Sequence, residues 1–344
     1  MNSKERTITI ADVAERAGVS KSTVSQYLNE RYEYMGEQTK ERVAAAIQDM
    51  GYRPNIVARS LKQKKSTTIG VIVANISHEF STQIVKSIED YCNAADFHII
   101  VCNAEDDPAK EKKYIDMLRA KQIEGIIVFP TSTNIELYKE LTLEDYPLVF
   151  IDRNVPEVDV SSIMLDNKRA AALAVEEFVN HDYSRIGILT NSTVNNVTTR
   201  IERVDGFREA LHSHGLEVNE DYIKSVELNY IQDELSKMMH LSVPPDAILA
   251  GNDLVLAEIL KYTKQYNLKI PDDLAVIGID DVSFASIYNP ELTTIAQPTS
   301  KMGMDAAKLL LNRIKGISEN GQKHYRYEPT LMRRSSCKAR RQIL

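Results

Sequence analysis

Polar side chains able to grip or transform a small molecule sit directly behind apolar runs of this chain. Asp152 and Arg153 end FIDR, Asn252 and Asp253 end GND, Asp280 and Asp281 follow VIGI, and Gln297 closes TTIAQ; Arg203 opens RVDGF. Adjacent carboxylates such as Asp280 and Asp281 can divide acid and base roles or hold a metal. No second ligand cluster completes such a site. The chain also lacks G-x-x-x-x-G-K, a G-x-G-x-x-G after the first strand, G-x-S-x-G and H-E-x-x-H. We therefore expect no enzyme activity, no catalytic residue, no metal and no cofactor. Taken singly, each of these polar residues reads equally as a helix cap, a surface ion pair or a structural hydrogen bond. Taken together, behind strand ends or at helix starts, they suit hydrogen-bonded recognition of a polar ligand.

A second constellation, AGVSKSTVSQYLN, runs from Ala17 to Asn29. Gly18 offers the φ-permissive turn that two crossing helices need. Val13, Ala14 and Ala17 give the first helix a narrow apolar face, and Val24 and Leu28 give the second its own. Ser20 is placed to cap the second helix, whose outward face then carries Ser22, Thr23, Ser25 and Gln26. That is the composition of a helix-turn-helix entering a DNA major groove. A third helix is expected from about Gln38 to Met50, stopped by Gly51. Asn55 to Lys65 is expected to form a short hinge helix, marginal by itself, leading into a cationic linker.

The elements that position these groups differ between the two ends. With 344 residues, 43% of them hydrophobic and 26% charged, the chain is long enough for two or three globular domains. Its net charge of -7 is unevenly spread: residues 1–65 hold 12 Lys+Arg against 8 Asp+Glu, and the remainder 30 against 41. A basic head on an acidic body fits phosphate contact by the head alone. No apolar run is long enough for a membrane span, and the N-terminus is polar, so a cytoplasmic protein is expected. Cys92, Cys102 and Cys337 are too few and too scattered for a disulfide framework.

From Thr67 on, strand-length apolar runs alternate with amphipathic helices. Strands are expected at Ile69, His98, Gly125, Pro147, Arg185, Lys224, Ala247 and Leu274. Helices are expected over 81–95, 110–120, 168–181, 204–213 and 254–266. Two such series predict an α/β body of two doubly wound parallel-sheet lobes with a ligand cleft between them.

ITIADVAERAGVSKSTVSQYLN followed by TKERVAAAIQDMGYRPNIVARSL resembles the LacI/GalR family of bacterial transcription regulators. The resemblance implies an N-terminal all-α head with a hinge helix and a body like periplasmic binding proteins. It implies residues 1–54 as the DNA-binding domain, 55–66 as hinge and linker, and 67–344 as the effector-binding and dimerisation domain. Lobe one would comprise about 67–164 plus 296–323, and lobe two about 165–295 plus 324–344, with crossovers near 163–166, 293–296 and 323–326. Base readout then falls to Lys21, Ser22 and Gln26. Phosphate contacts fall to Thr9, Ser20, Thr23, Ser25, Asn29, Tyr52 and Asn55, and minor-groove contacts to Ala58 and Leu61. Effector binding falls to Phe80, Ser81, Asp152, Arg153, Arg203, Asn252, Asp253, Asp280 and Gln297.

Two departures from the family pattern stand out. Met35 and Gly36 replace the usual Val-Ser before the third helix, in a loop one residue longer, and Gly is the weaker cap. HEFS at 78–81 keeps one aromatic where the family commonly has two, which suits a smaller or more polar effector. The arginines, with His78 nearby, would suit a carboxylated sugar. KSTVSQYLNERYEYMGEQT resembles regulators of ketodeoxygluconate and pectin breakdown within the family, so the expected effector is a sugar or sugar acid such as ketodeoxygluconate. The implied function is repression of a carbohydrate or sugar-acid operon by a homodimer on a palindromic double-stranded operator, without membrane attachment, released when effector binds. Corepressor logic stays open as an alternative. A transport-type sugar-binding protein would explain the lobes but not the head.

Overall fold

The computed structural model describes residues 8–52, 66–131, 133–193, 197–317 and 323–338. The chain divides into two compact units, Met1–Ser66 and Thr67–Leu344. The hinge segment, with Asn55, Ala58 and Leu61, lies outside the described residues.

Among its described residues the head holds three helices, α1 (Ile10–Ala17), α2 (Lys21–Leu28) and α3 (Glu37–Met50). α1 starts two residues earlier than Asp12 because Thr9 and Asp12 form a reciprocal capping box. Gly18 takes φ 64 at the turn, where a side chain would be strained. Ser20 accepts the Thr23 N–H at 3.1 Å and so opens α2. Gly36 precedes α3 without any side-chain cap, the weaker start expected of it. Val13, Ala14, Ala17, Val24, Val43 and Ala46 close a small core among the three helices.

Among its described residues the body contains twelve strands in two six-stranded sheets. In the first lobe lie β1 (Thr68–Val73), α4 (Glu79–Ala94), β2 (His98–Asn103), α5 (Pro108–Ala120), β3 (Gly125–Val128), α6 (Ile135–Leu143), β4 (Leu148–Ile151) and β5 (Ser162–Leu165). The second lobe holds α7 (Asn167–Val179), β6 (Ile186–Asn191), α8 (Thr198–Ser213), β7 (Ile223–Val226), α9 (Ile231–Met239), β8 (Ala247–Ala250), α10 (Asp253–Gln265), β9 (Ala275–Ile279) and β10 (Thr293–Ala296). The chain then returns for α11 (Thr299–Ile314) and β11 (His324–Tyr327) in lobe one, and ends on β12 (Thr330–Met332) in lobe two.

Sheet order is β11-β5-β4-β3-β1-β2 in one lobe and β12-β10-β9-β8-β6-β7 in the other. The two orders are equivalent strand for strand. β1, β3 and β4, like β8 and β9, are apolar and almost wholly buried because helices cover both faces. α11 packs on α4, Met302, Ala306, Ala307 and Leu310 meeting Ile84 and Ile88 in the lobe-one core. Gly303 permits that approach: a Cβ there would lie 2.8 Å from the Ile84 carbonyl.

The structure moves one expected boundary. His324–Tyr327 pairs in parallel with Ser162–Leu165 and so belongs to lobe one, not lobe two. The third crossover therefore falls at Glu328 and Pro329, after which the reversed chain adds β12 antiparallel to β10. The first crossover falls at Asp166, inside the expected 163–166, and the second at Gln297–Pro298, just after the expected 293–296, which form β10. Helices α6, α9 and α11 had not been anticipated. α8 begins six residues before Val204, bringing Thr199 and Arg200 onto the helix that carries Arg203.

Candidate functional site

In the head, Lys21, Ser22 and Gln26 are exposed on one side of α2, while Val24 on the other side is fully buried. Helical spacing puts Ser22 and Gln26 one turn apart, with Lys21 at the N-terminal edge of the same face. Several residues expected at phosphates already have local partners. The Thr9 hydroxyl donates to Asp12 at 2.7 Å, and Asn29 Nδ2 donates to the Ser25 carbonyl at 2.6 Å. Ser20 and Thr23 share a hydroxyl hydrogen bond of 2.9 Å, and Tyr52 packs against the head core. Tyr34 stands 93% exposed on the loop after α2, whereas Tyr32 is held edge-on by Tyr27 and lies under Lys40.

In the body, eight of the nine residues expected to bind a ligand line one cavity: Phe80, Ser81, Asp152, Arg153, Arg203, Asn252, Asp280 and Gln297. Its open space is only about 40 Å³, so the walls nearly meet and a sugar-sized ligand requires the lobes to part. Asp253 is not on its wall, yet it closes one rim through His78 and the Glu79 N–H. Asp152 behind β4 and Asp280 behind β9 occupy equivalent places in the two lobes. Both have left-handed backbones, φ 67 and φ 85, and each donates its N–H across to the next strand, at Ile163 and Ile295. Such conformations cost non-glycine residues of order 1–3 kcal/mol and persist where the surroundings over-determine them.

Three side chains not expected here complete the wall and its support. Arg200 sits one helical turn before Arg203, and Phe129 meets Phe80 edge-on with centroids 6.3 Å apart. Asp106, behind β2, accepts from Arg153 at 2.6 Å and from Arg200 at 2.9 Å, joining a lobe-one arginine to a lobe-two arginine. The Arg200 signal was legible as an i, i+3 pair in RIER; Asp106 gave none, since its partners are 47 and 94 residues away.

Hydrogen bonding sorts the wall into satisfied and unsatisfied groups. Arg203 is largely engaged, donating to Asn167 Oδ1 at 2.9 Å and to the Gly251 carbonyl at 2.6 Å. Asn252 caps α10 and donates to Asn191 at 2.7 Å. Gln297 Nε2 donates to Asp280 at 2.6 Å. Asn154 Oδ1 and Gln297 Oε1 are buried with no hydrogen-bond partner among the described residues, and Arg153 Nε has a long ion-pair contact of 3.5 Å with Asp152. A buried orphan of this kind is costly, and Gln297 Oε1 belongs to a residue that lines the cavity.

Electrostatics follows burial and pairing. Burial alone would raise the Asp106 carboxyl, but the charges and hydrogen bonds of Arg153 and Arg200 prevail and hold it below the ordinary range. Burial raises the Asp280 carboxyl, opposed by Arg203 and Gln297 and assisted by Asp253. Asp281 points elsewhere, to Thr294 at 2.5 Å and Arg334 at 2.7 Å, so the adjacent carboxylates do not converge. No metal-binding cluster occurs among the described residues. A wider groove between α11 and β11 has its groups mutually engaged, with Lys301 over the Tyr327 ring and the Tyr327 hydroxyl on Asp305. Cys92, Cys102 and Cys337 are free and buried.

Residues 9–55 match the family described as bacterial regulatory proteins, lacI family. Residues 66–331 match periplasmic binding proteins and the sugar binding domain of the LacI family. A relative from Paenibacillus polymyxa, the probable HTH-type transcriptional regulator EndR, is 48% identical over 89% of this chain and 90% of its own. The HTH-type transcriptional regulator KdgR of Bacillus subtilis is 31% identical over 90% of this chain and 91% of its own. Among solved structures, the Lac repressor bound to ONPG in its repressed state aligns with a TM-score of 0.84 and 25% identity. That alignment covers 96% of this chain and 100% of that one.

Replacing Asp106 with Asn should remove a charge that two buried arginines share. We expect a loss of about 1–2 kcal/mol at neutral pH, allowing for the partial exposure of the carboxylate. Because its folded pKa is lowered, the stabilisation is present above the ordinary carboxylate value of about 4 and is lost as pH falls through the folded value. Thermal denaturation of both proteins should show a gap at pH 7 that narrows below about pH 4.

Proposed function

The chain belongs to the LacI family of bacterial transcription regulators, and from that premise we propose that it represses a carbohydrate or sugar-acid catabolic operon until a small effector binds between its lobes. The observation that carries the proposal is the pairing of a free reading face with a separate ligand cavity. Lys21, Ser22 and Gln26 are exposed in one unit, while Gln297 holds an unsatisfied buried acceptor and Arg153 Nε a donor with only a 3.5 Å contact to Asp152 in the other. The first arrangement suits major-groove base edges, and the second suits a ligand offering both acceptors and hydroxyl donors.

A sugar or sugar acid meets that second requirement. A carboxylate or ring oxygen would accept from Arg153 Nε, and a hydroxyl would donate to Gln297 Oε1, with Phe80 and Phe129 against the apolar face of the ring. The relatives are transcriptional regulators, and the acid and base groups of the cavity are arranged for binding; we assign no catalytic role to them. The protein would act in the cytoplasm, where its operator lies. No helix among the described residues is long and apolar enough to cross a membrane.

Two heads are needed for a palindromic operator, so a homodimer is the proposed working unit. Exposed Ile287, beside Phe284, Tyr288 and Leu260 on lobe two, gives an apolar face suited to such pairing. Sedimentation at micromolar concentration should show a dimer, and Ile287→Glu should shift it toward monomer. A parent protein that sediments as a monomer overturns the assignment.

Selection from random operator DNA should return a palindrome. Gln26→Ala should relax one position of each half-site, at about 1–3 kcal/mol of discrimination. An unchanged preferred site would remove Gln26 from base readout.

A thermal-shift screen of hexuronates, 2-keto-3-deoxy sugar acids and their neutral counterparts should give a ligand that raises the melting temperature of the full chain. The same ligand should lower operator affinity in fluorescence anisotropy. Stabilisation by none of these classes sinks the sugar reading, and tighter operator binding with ligand would establish corepressor logic instead.

A further inference from the structure

One rim of the cavity is closed by a reciprocal exchange of hydrogen bonds between the lobes. α4 begins at Glu79, whose backbone N–H has no partner within its own helix. That N–H donates to Asp253 Oδ2 on the opposite lobe at 2.8 Å. The other Asp253 oxygen accepts from the Leu254 N–H at 2.8 Å and is paired with His78 Nδ1. In return the Glu79 carboxylate accepts from the Ser283 N–H, at 3.0 and 3.1 Å, in the segment behind β9. A single carboxylate thus faces the positive ends of two helices, α4 and α10, which belong to different lobes.

His78 is the group in this exchange whose ordinary titration lies near neutrality. It is half-buried, with its side chain 15% exposed, and Asp253 is 6% exposed. Three carboxylates act on it from three elements: Asp253 at the start of α10, Asp280 behind β9 and Asp152 behind β4. The cations of the same cavity are committed to other partners, Arg203 to Asn167 and Gly251, and Arg153 and Arg200 to Asp106. Neighbouring Glu79 is committed to Ser283. The charge that His78 meets on closure is therefore mainly negative.

We propose that His78 is a proton-sensing latch between the lobes, so that closure of the effector cleft is coupled to pH between about 6 and 8. The proposal rests on the reading of this cleft as an effector site and names a regulation of it. With the lobes apart, His78 loses Asp253 and returns toward the ordinary histidine value. With the lobes together, burial opposes its charge, but the hydrogen bond and charge of Asp253, helped by Asp280 and Asp152, raise its pKa above 6.5. The closed form therefore binds the proton more tightly. Its advantage is full below the ordinary value and is lost as pH rises through the closed-state value. Acidification tightens the cleft, and an effector that needs it closed binds better at lower pH.

The test uses the ligand-free full chain. Carbon-13 NMR of labelled histidines, with the His78 signal identified by its loss in His78→Gln, should show His78 titrating above the exposed histidines. Hydrogen exchange reports closure through the amides of Glu79 and Ser283, both bonded across the lobes. Their protection factors, corrected for intrinsic exchange, should fall several-fold between pH 6 and pH 8 in the parent and stay level in His78→Gln. A His78 that titrates at or below the exposed histidines overturns the latch, as does a His78→Gln protein that keeps the parent's pH dependence. Neither readout needs effector or operator. Failure here leaves the regulator reading intact, and failed operator selection leaves the latch intact.

Discussion

Charge buried at the carboxyl ends of two parallel sheets is the constraint on which this body depends. Arg153, Arg203, Asp253 and Asp280 are all buried, and an unpaired ion at such depth costs several kcal/mol. Each needs partners close by: Arg153 finds Asp106 and Asp152 in its own lobe, Arg203 finds Asn167 and the Gly251 carbonyl, and Asp280 finds Gln297, while several neighbouring charges reach across. Asp106 of lobe one completes its coordination with Arg200 of lobe two, Asp253 of lobe two with His78 of lobe one, and Glu202 of lobe two with Arg326 of lobe one. Completing these cross-lobe pairs and bringing the lobes together are therefore one physical event. A binding site whose rim is held by cross-lobe bonds such as Asp253 to His78 and Asp106 to Arg200 is a site whose geometry reports closure.

That arrangement limits what a ligand can do. The lobes already hold one another through protein groups, so an effector shifts their closure only by what it adds to one state over the other. The groups left orphaned mark where that difference can arise. Satisfying a buried acceptor such as Gln297 Oε1 recovers about 1–3 kcal/mol. This matches the 1–3 kcal/mol of coupling, roughly 5- to 150-fold in affinity, that allosteric proteins commonly show. Two or three well-placed ligand atoms are enough to switch such a protein, and a large ligand is not required.

The head was legible because its determinants are local. Gly18 at a left-handed turn, Ser20 as a cap, Gly36 as a poor one and Gly51 as a stop each act within four residues, and the apolar faces repeat at helical spacing. The central strands were equally plain as apolar runs. α11 escaped notice although Met302, Ala306, Leu309 and Leu310 are helically spaced, because Pro298 offers no side-chain cap to announce its start. Short α9 follows a 3-10 turn and is likewise uncapped. The cleft was legible wherever a polar residue follows a strand, as at Asp152 and Asp280. It was illegible at Asp106 and Phe129, whose roles exist only once residues distant in sequence have been folded against them. The edge strand β11 is half polar and reads as loop until β5 is there to pair with it.

The split of charge between the two units follows from the same division of labour. At physiological ionic strength an exposed charge is felt over about 8 Å, so only the unit that touches DNA gains from being basic. Residues 1–65 carry the positive excess; the rest of the chain carries 41 acidic against 30 basic residues and would be repelled by phosphate at close range. Sequence-independent attraction is thereby confined to the head. The body is then free to spend its buried charges on closure, because none of them has to serve as a DNA contact. A basic body would add affinity for every DNA sequence alike and would dilute whatever a few kcal/mol of lobe closure can report.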